Sequence, residues 1–478
     1  DLLSTERCTH NMEYRWMDLK KRPVWIKCKG HLIRDAKMKP LYMIGCINEI
    51  GGKQKADNVS GFLGETGFRE YISNPVPTWK KGYLLRVGID HFKEINEKFS
   101  MEYGDFILRE TAACISSCMS EKQRVYKLMA DEFLILDVSS DDTKEAGKLF
   151  IKIRESIDQF VEENDFEVMY TISGGSLALH SSENIEYSKV MKLTDFSLNE
   201  AKKRGRNRCY IFDEKDYSRF IRKGEITQEL REATRNGFQG FVAFYQPVIE
   251  AKSGRLSGAE SLMRFSSSKF GMVSPVEFIP ILEETGLIIP VGRWMMKEAM
   301  EKCSQIRKVI PGFKVNINIS QVQVSKSDVI IDIADEMEKA GLSPEAMNIE
   351  LTESDLLEGD INTQHFLKEL KRMGIKLALD DFGTGYSNFH YLSELDPEII
   401  KIDRSFTSSA VADEKEYYLL KQFCRMIHNL GLKICIEGVE NQEEWAKIQK
   451  LEPDFGQGFF WGRPCGYDEF VRQFIEKK

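Results

Sequence analysis

The chain has 478 residues, 30% of them charged and 42% hydrophobic, with a formal net charge of −8. That length suggests about three domains, and the balance is that of a globular protein with ample core. A net negative charge argues against a binder of DNA or RNA polymers, which needs a basic face, but leaves room for a small anionic substrate. No apolar run approaches the roughly 18 residues that span a bilayer, and nothing at the start reads as a signal peptide. A cytoplasmic setting is therefore expected, and the opening at Asp1 rather than Met leaves room for an anchor upstream. Ten cysteines without CxxC pairs and seven histidines without HExxH spacing read as structural. Cys114 and Cys118, one helical turn apart, are expected to pack a helix.

Residues 1–55 carry three strand-like runs, Glu13–Asp18, Val24–Ile33 and Leu41–Glu49, separated by turn-like segments. They form an antiparallel meander too small to enclose a core alone. From residue 56 to 213 strands and helices alternate in an α+β pattern. Tyr83–Ile89 reads as a strand, His91–Phe99 and Gly104–Ser120 as helices, and Val125–Met129 with Phe133–Val138 as a hairpin. Val168–Leu179 follows as a strand and Tyr187–Arg204 as a helix. Residues 214–225 are charged and helix-prone without Gly/Ser/Pro clustering, a connector of lever type. From 226 to 478 short apolar strands each precede a helical stretch, the pattern of a (β/α)8 TIM-like barrel.

Segment 13–50 resembles the C-terminal half of a PAS sensor domain; a plain meander fits the same residues. The block 56–213 resembles the palm-like GGDEF family, whose active members condense two GTP into cyclic di-GMP. The likeness rests on Gly88–Asn96 (GIDHFKEIN), Tyr103-Gly104-Asp105 and Met129–Phe133 (MADEF). Three departures make it a degenerate member. Gly88 stands at a metal-binding aspartate, and Met129-Ala130 replaces two glycines whose missing Cβ admits the nucleotide. Ser120–Gln123 replaces the RxxD inhibition site. Phosphoryl transfer needs its metals to neutralise phosphate oxygens, so cyclase activity is not expected. Asn96, Asp105, Asp131, Lys202 and Arg206 keep open a regulatory binding of GTP without turnover. A scaffold role for the same residues is the favoured alternative.

In the last block the strand ends supply Glu260, Asn318, Glu350, Asp380-Asp381, Lys401, Glu437 and Gln457. Barrel enzymes collect their chemistry at the C-terminal ends of different strands. Oxygen donors without His or Cys suit Mg2+ or Mn2+, and a pair of such ions clamps a phosphodiester. This half of the chain resembles the EAL family of cyclic di-GMP phosphodiesterases. The likeness runs through Tyr245–Ile249, Glu260–Arg264, Phe278–Leu287, Asn318–Ser320, Glu350–Glu353, Asp380–Ser387, Lys401–Phe406, Glu437–Glu440 and Gln457-Gly458. The name-giving triplet reads Glu-Ser-Leu, with Ser261 expected to face away from the metal.

The resemblance implies Glu260, Asn318, Glu350 and Asp380 around one ion, and Asp380, Asp381 and Glu437 around a second. It implies that Lys401 orients or helps activate the attacking water and that Gln457 hydrogen-bonds water or substrate. Glu353 would anchor the loop after Asp381. Gln246, Leu262, Arg264 and Glu440 would meet the substrate, and a homodimer would form near the loop after Asp381. Hydrolysis of cyclic di-GMP to linear pGpG is the leading expectation. A non-catalytic cyclic di-GMP receptor acting through a partner or dimer is the alternative.

Overall fold

Residues 9–17, 23–35, 39–49, 57, 59–73, 81–140, 142–163, 170–180, 186–352, 361–383 and 397–476 are described by a computed structural model. The chain divides into two units, Asp1–Arg219 and Phe220–Lys478. No helix among the described residues is long and apolar enough to cross a membrane.

In the first unit, strands β1 (Thr9–Met17), β2 (Pro23–Arg34) and β3 (Pro40–Glu49) pair as an antiparallel meander in that order. Tyr42, Met43, Ile44 and Ile47 of β3 stay exposed. A separate six-stranded sheet follows, ordered β4-β6-β7-β5-β8-β9. Its strands are β4 (Leu63–Gly64), β5 (Lys81–Ile89), β6 (Gln123–Lys127), β7 (Glu132–Asp137), β8 (Ile172–His180) and β9 (Cys209–Ile211). Helices α1 (Glu65–Ile72), α2 (Phe92–Lys98), α3 (Met101–Cys118), α4 (Thr143–Glu163) and α5 (Tyr187–Lys203) cover it. Alternation along β5 and β7 feeds two cores. Leu85, Val87, Phe133 and Ile135 meet α3 and α4 on one face, while Leu84, Leu134 and Leu136 meet Phe68 and Val190 on the other.

Helix α4 was not among the expected elements, although Ala146, Leu149, Phe150, Ile153, Ile157 and Val161 make a buried helical stripe. Cys114 and Cys118 are buried under it, their thiols directed to the carbonyls of Ser156 and Lys152. They pack a helix, as their spacing suggests. The charged connector is part of a longer helix, α6 (Glu214–Arg235), which continues past residue 225 because Ile226, Leu230 and Ala233 gain a buried face.

The second unit is built on β10 (Phe241–Glu250), β11 (Leu256–Ser267), β12 (Gly271–Val273), β13 (Lys314–Asn318), β14 (Met347–Thr352) and β15 (Lys376–Phe382). The series ends with β16 (Ile399–Ile402), β17 (Lys433–Ile436), β18 (Phe455–Gln457) and β19 (Cys465–Gly466). Strands β11-β13-β14-β15-β16-β17-β18-β10 lie side by side, and pairing of β10 with β11 closes them into an eight-stranded barrel. The barrel is not uniformly (β/α)8. Strand β10 runs antiparallel to both β11 and β18. The link Ala251–Arg255 is a hairpin turn, too short for the crossover that a parallel pair needs.

Around it stand α7 (Pro275–Thr285), α8 (Ile288–Arg307), α9 (Gln321–Lys326), α10 (Val329–Ala340) and α11 (Ile361–Met373). Helices α12 (Arg404–Ala412), α13 (Glu414–Asn429), α14 (Gln442–Ile448) and α15 (Tyr467–Phe474) follow. Outward-facing Ile317, Ile349, Leu351, Ile400, Ile434 and Ile436 fill the layer between strands and helices. Inward-facing Val248, Ala378, Ile399 and Cys435 plug the barrel lower down. This leaves the C-terminal mouth for polar side chains. Ile400→Ala, made in the fully buried outer layer, is expected to cost about 2–5 kcal/mol, read as a lower urea midpoint for the barrel.

Candidate active site

The mouth is set by strand register. Glu260 of β11 lies beside Asn316 of β13, Asn318 beside Glu350 of β14, and Thr352 beside Asp380 of β15. Residues two apart on a strand share a face, so Asn318, Glu350, Asp380, Lys401 and Glu437 converge inward. Adjacent Asp380 and Asp381 would ordinarily diverge. They do not, because the β15–β16 register breaks between Leu379 and Phe382 and Asp381 adopts a left-handed backbone with φ 52°. Carboxylate oxygens of Asp380, Asp381 and Glu437 thus lie within 4.8 Å of one another, as do those of Glu260, Glu350 and Asp380.

At the centre stands the Lys401 ammonium, on a side chain only 1% exposed. Its Nζ is 2.8 Å from Glu437, 3.0 Å from Glu350, 3.1 Å from Asp380 and 3.3 Å from Glu260. Burial would strip its proton, but Asp380, Glu260, Glu350 and Glu437 together hold it well above the usual lysine range. Among these acids it stays a cation. Glu260 is opposed by burial, yet Lys401 and hydrogen bonds from Asn318 (2.8 Å) and Gln457 (2.6 Å) keep it below the usual carboxylate range. Gln457 also donates to Gln246, 3.2 Å away.

One ammonium does not balance this many acids. Burial, then the neighbouring charges of Asp380 and Glu260, push Glu437 up to about 8. Burial and the adjoining Asp380, with Asp403 behind it, push Asp381 up to about 6. Among the described residues the donor set is all oxygen and overcharged, without His or Cys, which fits hard divalent cations. The residues present therefore fit the group that the resemblance implies.

A cleft of about 300 Å3 opens above this centre. Gln246, Leu262, Glu440, Gly458 and the aromatic ring of Phe459 line it beside the acids. Arg264 lies on the inward face of β11 beyond Leu262, its guanidinium 5.6 Å above Phe244 and bonded to the Met263 carbonyl. Ser261 is on the opposite face and donates to the Asn316 carbonyl at 2.8 Å. Glu353 and the loop from residue 384 to 396, on which the dimer was expected, lie outside the described residues.

Four cleft or interior residues, Phe459, Arg404, Asn316 and Asn348, were not singled out from sequence. Arg404 opens α12 three positions past Lys401, reaches the cleft and pairs with Glu440 at 2.6 Å. Gly438, in a left-handed turn with φ 71°, makes room for it, since a Cβ there would come within 2.4 Å of the Arg404 side chain. Asn316 and Asn348 lie beneath Glu350. A spacing of two from Asn318 and from Glu350 was the available signal.

The first unit places the other candidates differently. Gly88 of β5 faces Glu132 of β7. A Cβ on Gly88 would sit 3.3 Å from the Lys202 ammonium. Arg86, on the same face, bonds Glu132 through Nε at 2.7 Å and pairs with Asp195 at 3.0 Å. Asp90 is buried and satisfied by Thr171, Ser173 and the Asn207 amide. Met129 is 79% exposed and Ala130 left-handed, with Lys127 donating to its carbonyl. Asn96 packs its amide on Gly104, next to Asp105. Asp131 is half-buried and Arg206 exposed.

Fold and site define a barrel protein that gathers acidic side chains able to hold a metal ion at its C-terminal mouth. Residues 227–464 match the EAL domain family, and residues 56–208 match the family described as diguanylate cyclase, GGDEF domain. The chain belongs to the proteins that carry GGDEF and EAL domains in tandem. It is 29% identical over 392 residues to the bifunctional diguanylate cyclase/cyclic di-GMP phosphodiesterase MucR of Pseudomonas aeruginosa, covering 81% of this chain and 56% of that one. It is 25% identical over 429 residues to the cyclic di-GMP phosphodiesterase PdeR of Escherichia coli, covering 88% and 64%. The chain spans about half the length of several curated relatives it matches. Among solved structures, the cAMP-bound form of the EAL enzyme Bd1971 aligns with TM-score 0.50 at 25% identity, over 62% of this chain and 79% of that one.

Replacing Lys401 with Met leaves its four carboxylates without their cation, a loss of about 3–5 kcal/mol for a broken buried pair. The metal-free variant is expected to melt below the parent. Mn2+ should raise its Tm more than the parent's, as thermal scans with and without chelator would read.

Proposed function

We propose that the C-terminal unit hydrolyses cyclic di-GMP to linear pGpG with Mg2+ or Mn2+. The observation that carries this reading is the convergence of Glu260, Glu350, Asp380 and Glu437 on one buried ammonium, with Asp381 beside Asp380 and Glu437, under an open cleft. The EAL domain and the phosphodiesterase relatives support it. Glu260, Asn318, Glu350 and Asp380 would hold one cation, and Asp380, Asp381 and Glu437 the other. When bound, such ions polarise the phosphodiester and lower the pKa of water for in-line attack.

The remaining steps belong to the protein. Lys401 fixes four carboxylates in one geometry and keeps their mutual repulsion from spreading the rim. Gln457 and Gln246, linked amide to amide, offer hydrogen bonds at the floor of the cleft. Arg404 can leave Glu440 for a phosphate oxygen, to which its planar fork is matched. Arg264 gives a second guanidinium at the rim, and Leu262 and Phe459 offer apolar contact to a nucleobase. All the ligands assigned to the two ions are present among the described residues, which favours catalysis over a receptor role.

The GGDEF domain is read as inactive and regulatory. Where a cyclase needs free carboxylates for Mg2+, Glu132 is engaged by Arg86, Gly88 offers no side chain and Lys202 stands beside it. We assign Asn96, Asp105, Asp131, Lys202 and Arg206 to the scaffold.

Incubation with cyclic di-GMP and Mn2+ or Mg2+ should yield pGpG, and chelator should stop it. Glu260→Gln and Asp380→Asn should each lower turnover at least about 100-fold by removing a cation ligand with the fold intact by circular dichroism. Parent-like turnover from either would remove the assigned centre. Millimolar GTP with Mg2+ should yield no cyclic di-GMP and no shift in Tm; a shift would assign the first unit a ligand-binding role.

A further inference from the structure

Beneath the rim, the barrel interior is divided. On one side Val248, Ala378, Ile399 and Cys435 pack as an apolar layer. On the other, Asn316 and Asn348 face each other across the β13–β14 pair at the same register level. Both are deeply buried, 7% and 3% exposed. Asn348 Nδ2 donates to Asn316 Oδ1 at 2.9 Å, and Asn316 Nδ2 donates to Glu350 Oε1 at 2.7 Å. Glu350 is itself wholly buried and turns its other oxygen, Oε2, to Lys401 at 3.0 Å.

The chain runs one way: Asn316 presents its NH2 to Glu350 and its oxygen to Asn348. Asn348 then presents its NH2, and its own Oδ1 is left buried without a protein partner. Leaving a buried amide oxygen unsatisfied is costly, and apolar side chains fill the same layer elsewhere. Packing stability does not account for two asparagines here; their effect on Glu350 does.

We propose that Asn316 and Asn348 are positioning residues that clamp Glu350 from below, fixing which of its oxygens faces the cation site. The proposal deepens the two-cation reading of the cleft and rests on it. A single donor on Oε1 sets the plane of the carboxylate. Without it Glu350 is free to rotate about its last torsion and turn either oxygen away from the site. Partners of this kind, standing behind a ligand rather than on the ion, typically govern affinity by 10–100-fold.

Mn2+ binding to the whole chain, followed by electron paramagnetic resonance of the free ion, tests this beside the Tm of the metal-free protein. Asn316→Leu, close in volume but unable to donate, should weaken Mn2+ binding by about 10–100-fold. Asn348→Leu, one link further away, should weaken it by about tenfold. A merely structural role would lower Tm and leave Mn2+ affinity at the parent value in both variants, and that result overturns the proposal. If Asn316→Leu does not fold, Asn348→Leu decides alone by the same criterion. A parent chain that binds no Mn2+ overturns the two-cation reading and this proposal with it, whereas parent binding with unaltered variants overturns only the clamp.

Discussion

The second unit depends on one arrangement, a single lysine ammonium enclosed by four carboxylates. Acids carried on separate strands repel at this spacing, and in a low-dielectric interior that repulsion would open the mouth or protonate it. Lys401 counters it from the centre, and amides from Asn318, Gln457 and Asn316 take up further oxygens of Glu260 and Glu350. The compensation is partial. Glu437 and Asp381 remain pushed toward neutrality, and under the proposed function added cations would relieve that residual excess of negative potential.

The barrel converts sequence spacing into this convergence. Parallel neighbours in register put the inward residues of β13, β14, β15, β16 and β17 at matched heights. Strand β10 breaks the parallel rule, and its hairpin to β11 places Gln246 directly opposite Glu260. The amide pair Gln246–Gln457 bridges β10 and its other antiparallel neighbour, β18, next to the β10–β11 pairing that closes the barrel. Closure and floor of the cleft are one construction.

Much of this was legible in the sequence, for a physical reason. Alternation along short strands identifies inward positions, and carboxylates at strand ends are conspicuous among apolar neighbours, so Glu260, Glu350, Asp380, Lys401 and Glu437 could be placed together in advance. Asn316 and Asn348 escaped notice because an asparagine inside a strand also reads as a turn residue, and only its partners reveal a buried use. Arg404 depended on Gly438 from a distant segment, which no local pattern encodes. Helix α4 had a clear apolar stripe, yet charged residues surrounding it masked the periodicity. The antiparallel course of β10 was written in the brevity of Ala251–Arg255 rather than in the strand itself.

The left-handed backbone at Asp381 sets chemistry and chain comfort against each other. An L-residue with a Cβ sits there uneasily, whereas asparagine tolerates that region better and glycine best of all. Either replacement would relax the turn, asparagine at the cost of the negative charge and glycine at the cost of the side-chain oxygens altogether. The charge at this rim and the ease of the local backbone therefore pull in opposite directions at Asp381.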